Sequence, residues 1–411
     1  MKNGINRLFY SEIIRHNCVS PKMSKHSISH EDIKYNDIYW WLWWMVTGGW
    51  FKPFYRTCWI VISNLYIVFT YVSYITLVSP LFLLGGSSGK HLFYKVEEIL
   101  YGWILELLTS WSYTANLRIL ESGDCLDSIL HEPFLFLPNH QSTADIPICM
   151  GIFASRNQCA EKLMWIMDDV FKFTHFGIVS WIHDDFFIQE GKDHRSASLM
   201  KLKKHVQNVF ANKNRKYLIL FPEGGFLRKR KLASQNFARK NDLPVLNYCT
   251  LPRLGAVNSV MQSLSTDEKA EENQALNSEL VDNSNFFLSK AVDVTIAYPN
   301  GNPLSILDIS FGSKSTFKIY VHYKIYDIKH LQKDQEGLRR WMYNIYYEKE
   351  KLLKYFYKTG TFPRSGGLSK FVNEPRELLF DPLRFIMINV FFLMSTYIFS
   401  LLWTSLYLCI L

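Results

Sequence analysis

The sequence lacks the features of several common classes of protein. It contains no Cys-x-x-Cys pair, and its seven cysteines are scattered and odd in number, which argues against a zinc site or a disulfide framework and favours a reducing compartment. It contains no Asn-x-Ser/Thr sequon, in agreement with a chain whose bulk is not lumenal. No zinc-finger, basic-zipper or RNA-recognition motif is present. The net charge of +9, carried by clustered Lys and Arg, therefore indicates an anionic surface or substrate rather than a nucleic acid.

Long uncharged segments, by contrast, lie near both ends of the chain. Residues 57–84 form a run of 28 without a charge, and residues 385–411 form a run of 27. Each run exceeds the roughly 20 residues that span hydrocarbon. The first predicts one tilted spanning helix or a re-entrant hairpin, and the second predicts a C-terminal membrane helix. Because Lys370, Arg376 and Arg384 precede the second run and no charge follows it, the positive-inside rule predicts that the part of the chain ahead of this run is cytosolic.

The rest of the chain divides by composition. Residues 1–35 are polar and basic, without the apolar core of a signal peptide, and predict a tail. Residues 36–90 join a tryptophan-rich stretch to the first apolar run and predict an interfacial and membrane segment. Residues 91–365 alternate strand and helix patterns, which is typical of an α/β layer domain. Within them, residues 263–285 are rich in Ser, Asn, Asp and Glu and predict a disordered insertion.

The first motif with chemical content is NHQSTAD at residues 139–145. It follows a predicted strand at 134–137 and precedes a predicted helix opened by Pro147. His140 then lies in a strand-to-helix connection, and Asp145 lies where a helix N-terminus favours negative charge. A carboxylate beside an imidazole stabilises the ring that has taken a proton from a hydroxyl, so the motif predicts a general base. A metal pair and a solvated loop are the alternatives, and the metal pair lacks further ligands nearby.

A second motif, FPEGGF, occupies residues 221–226. It ends an apolar run at 217–220, which predicts a buried strand that enters a tight, glycine-lined loop. Four consecutive basic residues follow at 228–231. They predict contacts with substrate phosphates or anionic lipid, and a solvated basic patch is an equal alternative.

In their order along the chain, the two motifs resemble the glycerolipid acyltransferase family, which transfers acyl groups from acyl-CoA to glycerol phosphates and lysophospholipids. Residues 293–299, 321–323 and 348–363, with the FPEGGF variant, resemble its lysophosphatidylglycerol acyltransferase subfamily. The resemblance covers roughly residues 38–411. It implies a glycerol-3-phosphate acyltransferase-like mixed sheet flanked by helices, with N- and C-terminal membrane helices, in an enzyme of the endoplasmic reticulum membrane.

The resemblance also implies roles for individual residues. His140 is expected to act as the general base and Asp145 to orient and charge its ring, while backbone N–H groups of the His140 and Glu223-Gly224 loops are candidates for binding the oxyanion. Substrate contacts are expected from Asn139, Ser142, Glu223, Gly224, Gly225, Arg228, Pro252 and Arg253. Acyl-CoA is expected as co-substrate without a metal or cofactor, and lysophospholipid and membrane lipids are the expected partners.

Two departures from the family pattern concern phosphate binding. Glu190 stands where the family's GxxFIxR motif has its arginine, so Lys192 or Arg195 is expected to supply the charge. Gly225 and Phe226 stand where the family has Thr or Ser followed by Arg.

The predicted reaction is acylation of a lysophospholipid, with lysophosphatidylglycerol or lysophosphatidylethanolamine favoured as acceptor. Acylation of lysophosphatidic acid or monoacylglycerol is an alternative of the same class. A hydrolase that activates water with His140 and a scaffold that binds lipid without chemistry are alternatives of other classes. The long apolar segments, and the lack of a serine on a strand-to-helix nucleophile elbow, argue against a lipase.

Overall fold

The structure, a computed structural model, covers most of the chain beyond the tryptophan-rich stretch. It describes residues 51–189, 191, 194–210, 212–264, 288–312, 315–331, 335–363 and 375–410. The predicted tail at 1–35, most of the predicted insertion at 263–285, and the positions of Glu190 and Lys192 lie outside the described residues.

A sheet of eight strands organises the described part of the chain. Its strands are β1 (Leu117–Gly123), β2 (Phe134–Pro138), β3 (Leu163–Asp168), β4 (Phe186–Ile188), β5 (Tyr217–Leu220), β6 (Lys290–Ala297), β7 (Phe317–Asp327) and β8 (Arg376–Glu377). Their order is β4-β3-β5-β2-β6-β7-β1-β8. The first five in this order are parallel, β7 is antiparallel to β6, β1 is parallel to β7, and β8 is antiparallel to β1. The predicted mixed sheet is confirmed.

Helices cover both faces of this sheet. They are α1 (Phe51–Leu84), α2 (Gly86–Thr114), α3 (Asp145–Ala154), α4 (His175–Ile182), α5 (Arg195–Val209), α6 (Leu227–Lys240), α7 (Leu254–Ser263), α8 (Ile306–Phe311), α9 (Gln335–Thr359) and α10 (Pro382–Ile410). Side chains of α1, α2 and α3 build the core on one face, and side chains of α5, α7 and α9 build the core on the other.

Strand β2 shows why the central strands are apolar throughout. Successive side chains of a strand point to opposite faces, and both faces of this sheet are covered. Phe134 and Phe136 accordingly enter the core beneath α2 and α3, whereas Leu135 and Leu137 enter the core beneath α5, α7 and α9. The continuous run of buried residues therefore places β2 at the centre of the domain.

Helices α1 and α2 form an antiparallel hairpin. Arg56 in the first turns of α1 donates a hydrogen bond to the carbonyl of Thr114 at the end of α2, at 2.8 Å. Near the opposite end, the rings of Phe82 and Phe93 lie 5.2 Å apart. The predicted apolar segment at 57–84 is thus part of a single helix, and the chain reverses only after it. The predicted boundary between residues 90 and 91 falls inside α2.

Helix α10 packs beside α1 in parallel orientation. The Tyr66 hydroxyl donates to Asn389 Oδ1 at 2.7 Å, and Trp403 Nε1 donates to Ser73 Oγ at 3.0 Å, so residue numbers rise in the same direction along both helices. Of the helices that the structure describes, α1 and α10 are the two with the length and apolar composition to cross a membrane. The predicted pair of N- and C-terminal apolar helices is confirmed.

Two local patterns of the sequence predict elements that the structure does not have. The apolar spacing over residues 95–120 predicts a helix to residue 120, but α2 ends at Thr114, because Asn116 adopts a φ of 66° and the chain then enters β1. The apolar run at 243–246 predicts a strand, but these residues form a loop. Its second residue, Pro244, has no N–H to donate to a neighbouring strand, which disfavours a place in a sheet.

Candidate active site

The parallel strands β2, β5 and β6 bring both motifs to one edge of the sheet. Strand β2 pairs with β5 on one side and with β6 on the other. The carboxyl ends of parallel strands meet at the same edge, so the residues that follow the three strands converge there. The 139–145 motif follows β2, the 221–226 motif follows β5, and Tyr298 follows β6.

His140 and Asp145 form a buried hydrogen-bonded pair at this edge. His140 Nδ1 lies 2.9 Å from Asp145 Oδ2. The same oxygen accepts the backbone N–H groups of Gln141 at 2.7 Å and Ser142 at 2.8 Å, and Oδ1 accepts the Tyr298 hydroxyl at 2.5 Å. Four donors around a fully buried carboxyl suit the ionised form, which only accepts. The Nδ1 atom must then carry the hydrogen, which leaves Nε2 of the neutral ring as an acceptor.

The surroundings of the His140 ring are aromatic. The ring stacks on Phe221, with centroids 4.1 Å apart, and lies 4.4 Å from the ring of Phe226. No residue in the described ranges forms a hydrogen bond with Nε2. The pair therefore offers an unpaired proton acceptor in an apolar setting, which is what a general base for a hydroxyl requires.

Glu223 joins the two motifs. Its Oε1 accepts the backbone N–H of His140 at 2.8 Å, and its Oε2 accepts the backbone N–H and the hydroxyl of Thr250, at 2.9 and 2.8 Å. Burial raises the pKa of the Glu223 carboxyl from its ordinary 4.5 to about 7, although these hydrogen bonds favour the ionised form. Both oxygens are engaged by the protein, so Glu223 fixes the position of the His140 loop.

Asn139 and Ser142, both predicted to contact substrate, instead bind backbone groups. The amide of Asn139 donates to the Ile296 carbonyl at 3.0 Å and accepts the Ile296 N–H at 2.7 Å, and Asn139 has no exposed surface. The Ser142 hydroxyl donates to the carbonyl of Leu304 and accepts the N–H of Ala144 at 3.1 Å. The two side chains thus shape the loop that carries His140, and their predicted contacts with substrate stay predictions.

The two glycines of the second motif let arginine side chains lie directly on the loop. Gly224 has a φ of 65°, and a Cβ there would lie 2.8 Å from Arg253 Cδ. Gly225 has a φ of 144°, and a Cβ there would lie 3.3 Å from Arg230 Cδ. Both conformations favour glycine. A larger residue at either position would displace a guanidinium group from this edge of the sheet.

The remaining predicted substrate contacts surround the same loop. Pro252 is buried, and the next residue, Arg253, donates its N–H to the Pro222 carbonyl at 2.7 Å. Arg228 is exposed in the first turn of α6. Arg195, at the start of α5, reaches to within 3.6 Å of a Cβ built at Gly255, in the first turn of α7. Arginines from several elements therefore border the loop.

Two residues that support the site were missed. The sequence gives no signal for Tyr298, which falls in an ordinary strand pattern. Lys349 was not singled out from the lysines of α9, but it is fully buried, with Nζ 2.6 Å from Asp293 Oδ1. A signal was present, because Lys349 lies four residues after Ile345 and four before Leu353, within the apolar stripe of α9.

The Gly-x-Ser-x-Gly sequence at residues 85–89 does not form the nucleophile elbow of a lipase. Residues 85–89 match the letters of a Gly-x-Ser-x-Gly motif, but they connect α1 to the first turn of α2. A nucleophile elbow places its serine on a sharp turn between a strand and a helix. Ser87 follows a helix, so it does not meet that requirement.

Several known proteins are similar to this chain over most of its length. Family models described as acyltransferase and as acyltransferase C-terminus match residues 121–263 and 311–393. The human acyl-CoA:lysophosphatidylglycerol acyltransferase 1 is 36% identical over 357 residues, which cover 87% of this chain and 94% of that protein. A putative 1-acyl-sn-glycerol-3-phosphate acyltransferase of Caenorhabditis elegans is 28% identical over 80% of each chain. The crystal structure of the 1-acyl-sn-glycerophosphate acyltransferase of Thermotoga maritima, 15% identical, gives a TM-score of 0.37 over 73% of this chain and 98% of that one.

Proposed function

Because the chain belongs to the acyltransferase family, we propose that it transfers the acyl group of acyl-CoA to a lysophospholipid. The observation that carries the proposal is the His140–Asp145 pair, whose Nε2 has no partner among the described residues. The similarity to the human acyl-CoA:lysophosphatidylglycerol acyltransferase 1 favours lysophosphatidylglycerol as acceptor, with lysophosphatidylethanolamine next. Lysophosphatidic acid and monoacylglycerol are the alternative acceptors.

In the proposed reaction, His140 Nε2 takes the proton of the acceptor hydroxyl as its oxygen attacks the thioester carbonyl carbon of acyl-CoA. The imidazolium is stabilised by Asp145 across the 2.9 Å hydrogen bond. The carbon–sulfur bond then breaks, and the CoA thiolate leaves with the proton that His140 held. The acyl group passes directly to the acceptor without a covalent enzyme intermediate.

Backbone N–H groups of the Glu223-Gly224 loop are proposed to stabilise the oxyanion. The N–H of His140 donates to Glu223, and the N–H of Gly224 donates to the Phe221 carbonyl at 3.1 Å. In the described parts of the chain, the N–H groups of Gly225 and Phe226 have no acceptor. They lie in the loop beside the His140 ring, which makes them the preferred donors.

Arginines around the glycine loop are proposed to bind the phosphates of acyl-CoA or the lysolipid. Arg253 and Arg230 lie against Gly224 and Gly225, and Arg195 lies close by at Gly255. Arginine binds phosphate through two parallel hydrogen bonds. Of the two residues expected to supply the charge that the family motif has at position 190, Arg195 is the one within the described residues, and it is the candidate for that contact.

We place the enzyme in the endoplasmic reticulum membrane with its catalytic domain in the cytosol. The two long apolar helices support membrane association. Arg56 near the start of α1 and Arg384 near the start of α10 lie on the domain side of these helices, as the positive-inside rule requires of a cytosolic domain.

The test is acyl transfer in microsomes with labelled oleoyl-CoA and a panel of lysophospholipids. His140→Ala should lower turnover by about a hundredfold to ten-thousandfold, the usual contribution of a positioned base. The control is His131→Ala, because the His131 side chain is 72% exposed and lies before β2, at the opposite end of that strand from His140. Product that depends on the acceptor, survives in the control and disappears in His140→Ala supports the proposal. Release of fatty acid without an acceptor, or no consumption of acyl-CoA by the wild type, overturns it.

A further inference from the structure

We propose that Lys349 is a positioning residue for this transfer reaction: it ties helix α9 to the carboxyl ends of β2 and β6 and supplies a positive charge close to Glu223. The inference rests on the proposed function for its kinetic readout only. It concerns a side chain that would touch neither substrate and would act through the loop that carries His140.

The first support is the place of the Lys349 ammonium group. Its Nζ lies 2.6 Å from Asp293 Oδ1 and donates to the carbonyls of Val294 at 2.5 Å and Leu137 at 3.4 Å. Leu137 is three residues before His140, and Val294 also accepts the N–H of Asn139, at 3.3 Å. The ammonium group thus holds together the ends of the two strands from which the active-site edge is built.

The second support is the neighbouring residue, Glu350. Its carboxylate accepts the backbone N–H groups of Asn247, Tyr248 and Cys249 at 2.7, 2.9 and 3.2 Å. The next residue in that loop, Thr250, donates both of its hydrogen bonds to Glu223. Two consecutive residues of α9 therefore reach the Glu223–His140 unit by separate routes, one through the strand ends and one through the loop.

The third support is the cost of this arrangement. Burying a charged ammonium group is unfavourable even when the group is paired, and a protein with an apolar residue of similar size in its place is often more stable. Lys349 lies in the apolar stripe of α9 with no exposed surface. Helix stability alone would favour Met or Leu there, so the charge itself needs an explanation.

That explanation is the charge state of Glu223. The three hydrogen bonds that the carboxyl accepts favour its ionised form, but burial raises its pKa to about 7. Lys349 is a cation that opposes this rise, because a nearby positive charge favours the ionised form. The other titratable or charged groups that face Glu223 come from the His140 loop, the loop before α7, and α9: His140, Cys249, Arg253 and Tyr346.

Three substitutions in the full-length protein separate the two parts of the role. Lys349→Met removes the positive charge and the hydrogen-bond donor. Lys349→Gln removes the charge but keeps an amide that can still donate a hydrogen bond, so this second variant remains informative if Lys349→Met does not fold. Lys351→Met is the matched control, because Lys351 lies on the same helix with a side chain 71% exposed and paired only with Glu348. The dependence of kcat/KM on pH and hydrogen exchange of the backbone amides at 139–145 are measured for each.

We expect the acid limb of the kcat/KM profile to move to higher pH by about one unit in both Lys349 variants, since Glu223 loses a nearby cation. Lys351→Met should leave the limb in place, and in a Glu223→Gln background the Lys349 substitutions should cause no shift. Amide exchange at 139–145 should rise most in Lys349→Met. A loss of kcat/KM that is equal at every pH would show a merely structural role and overturn the proposal.

The exchange measurement keeps this inference distinct from the proposed reaction. If the wild-type protein transfers no acyl group, the proposed function fails, but the exchange of the His140 amide still tests the role of Lys349. Faster exchange in Lys349→Met than in Lys351→Met would then support positioning by α9. Equal exchange in both variants would overturn it.

Discussion

The backbone N–H of His140 donates a hydrogen bond to Glu223 Oε1 at 2.8 Å, across 83 positions of sequence. This contact makes the two motifs one structural unit, with Glu223 holding the loop and His140 presenting its ring. Since the other oxygen of Glu223 is held by Thr250, the unit extends into the loop before α7. Changes at Glu223 should therefore act on the position of His140 first.

Protonation of Glu223 should make the free energy of unfolding depend on pH. Its pKa is about 7 in the folded protein and near 4.5 when exposed. Between these values the folded state binds a proton that the unfolded state has lost, so the free energy of unfolding falls as pH rises from 4.5 to 7. Glu223→Gln should flatten this part of the dependence, measured by thermal unfolding in detergent at pH 5 and 7.5. Thr250→Val, which keeps the titrating carboxyl, is the control, and an unchanged slope in Glu223→Gln would contradict the prediction.

Removal of one hydroxyl should separate catalysis from stability. The Tyr298 hydroxyl donates to Asp145 Oδ1 at 2.5 Å, and on β7, two strands from β2, the buried Tyr323 hydroxyl donates to Glu121 Oε1 at 2.6 Å. A hydrogen bond to a charged group contributes about 1.5–3 kcal/mol, so each Tyr→Phe variant should lower stability similarly. Tyr298→Phe should also lower kcat by about tenfold or more, because Asp145 loses a partner that orients it.

Melting temperatures and steady-state rates of the two variants, measured side by side, check this prediction. Full activity in Tyr298→Phe, or an equal loss of activity in Tyr323→Phe, would show that the hydroxyl beside Asp145 has no special place in the reaction.

The sequence was sufficient to locate the centre of the fold and to predict that His140 and Asp145 lie together. The apolar run of β2 identifies a strand buried on both faces, and the polar residues after it must lie at the edge of a sheet. His140 and Asp145 are only five positions apart, so local geometry alone brings them together. Their pairing could be predicted because it does not depend on the packing of distant segments.

Contacts between distant segments could not be predicted in this way. The amide of Asn139 binds Ile296 because β2 and β6 pair with Pro138 opposite Val294, a register that no local pattern specifies. The contacts of Lys349 are a second example. Helical periodicity places this residue on the buried face of α9, but only the folded structure shows that its ammonium group contacts Asp293 and two strand carbonyls. The hydrophobic pattern of a segment shows which face of a helix or strand is buried, whereas the hydrogen-bond partners of a buried polar side chain depend on strand register and on packing.

The parallel arrangement of α1 and α10 predicts the side of the membrane on which α1 begins. Tyr66 meets Asn389 and Ser73 meets Trp403, so α1 and α10 run in the same direction, while α2 runs back along α1 and packs against the core of the domain. The start of α1 at Phe51 should therefore lie on the same side of the membrane as the start of α10, which is the cytosolic side in the proposed orientation. The sequence contains no Asn-x-Ser/Thr sequon, so any glycan found on a variant must be attached to its engineered site. A site inserted ahead of Phe51 should stay unmodified in microsomes, whereas a site appended after Leu411 should be glycosylated. Modification of the first site would mean that α1 crosses the membrane in the direction opposite to α10, which their parallel packing forbids.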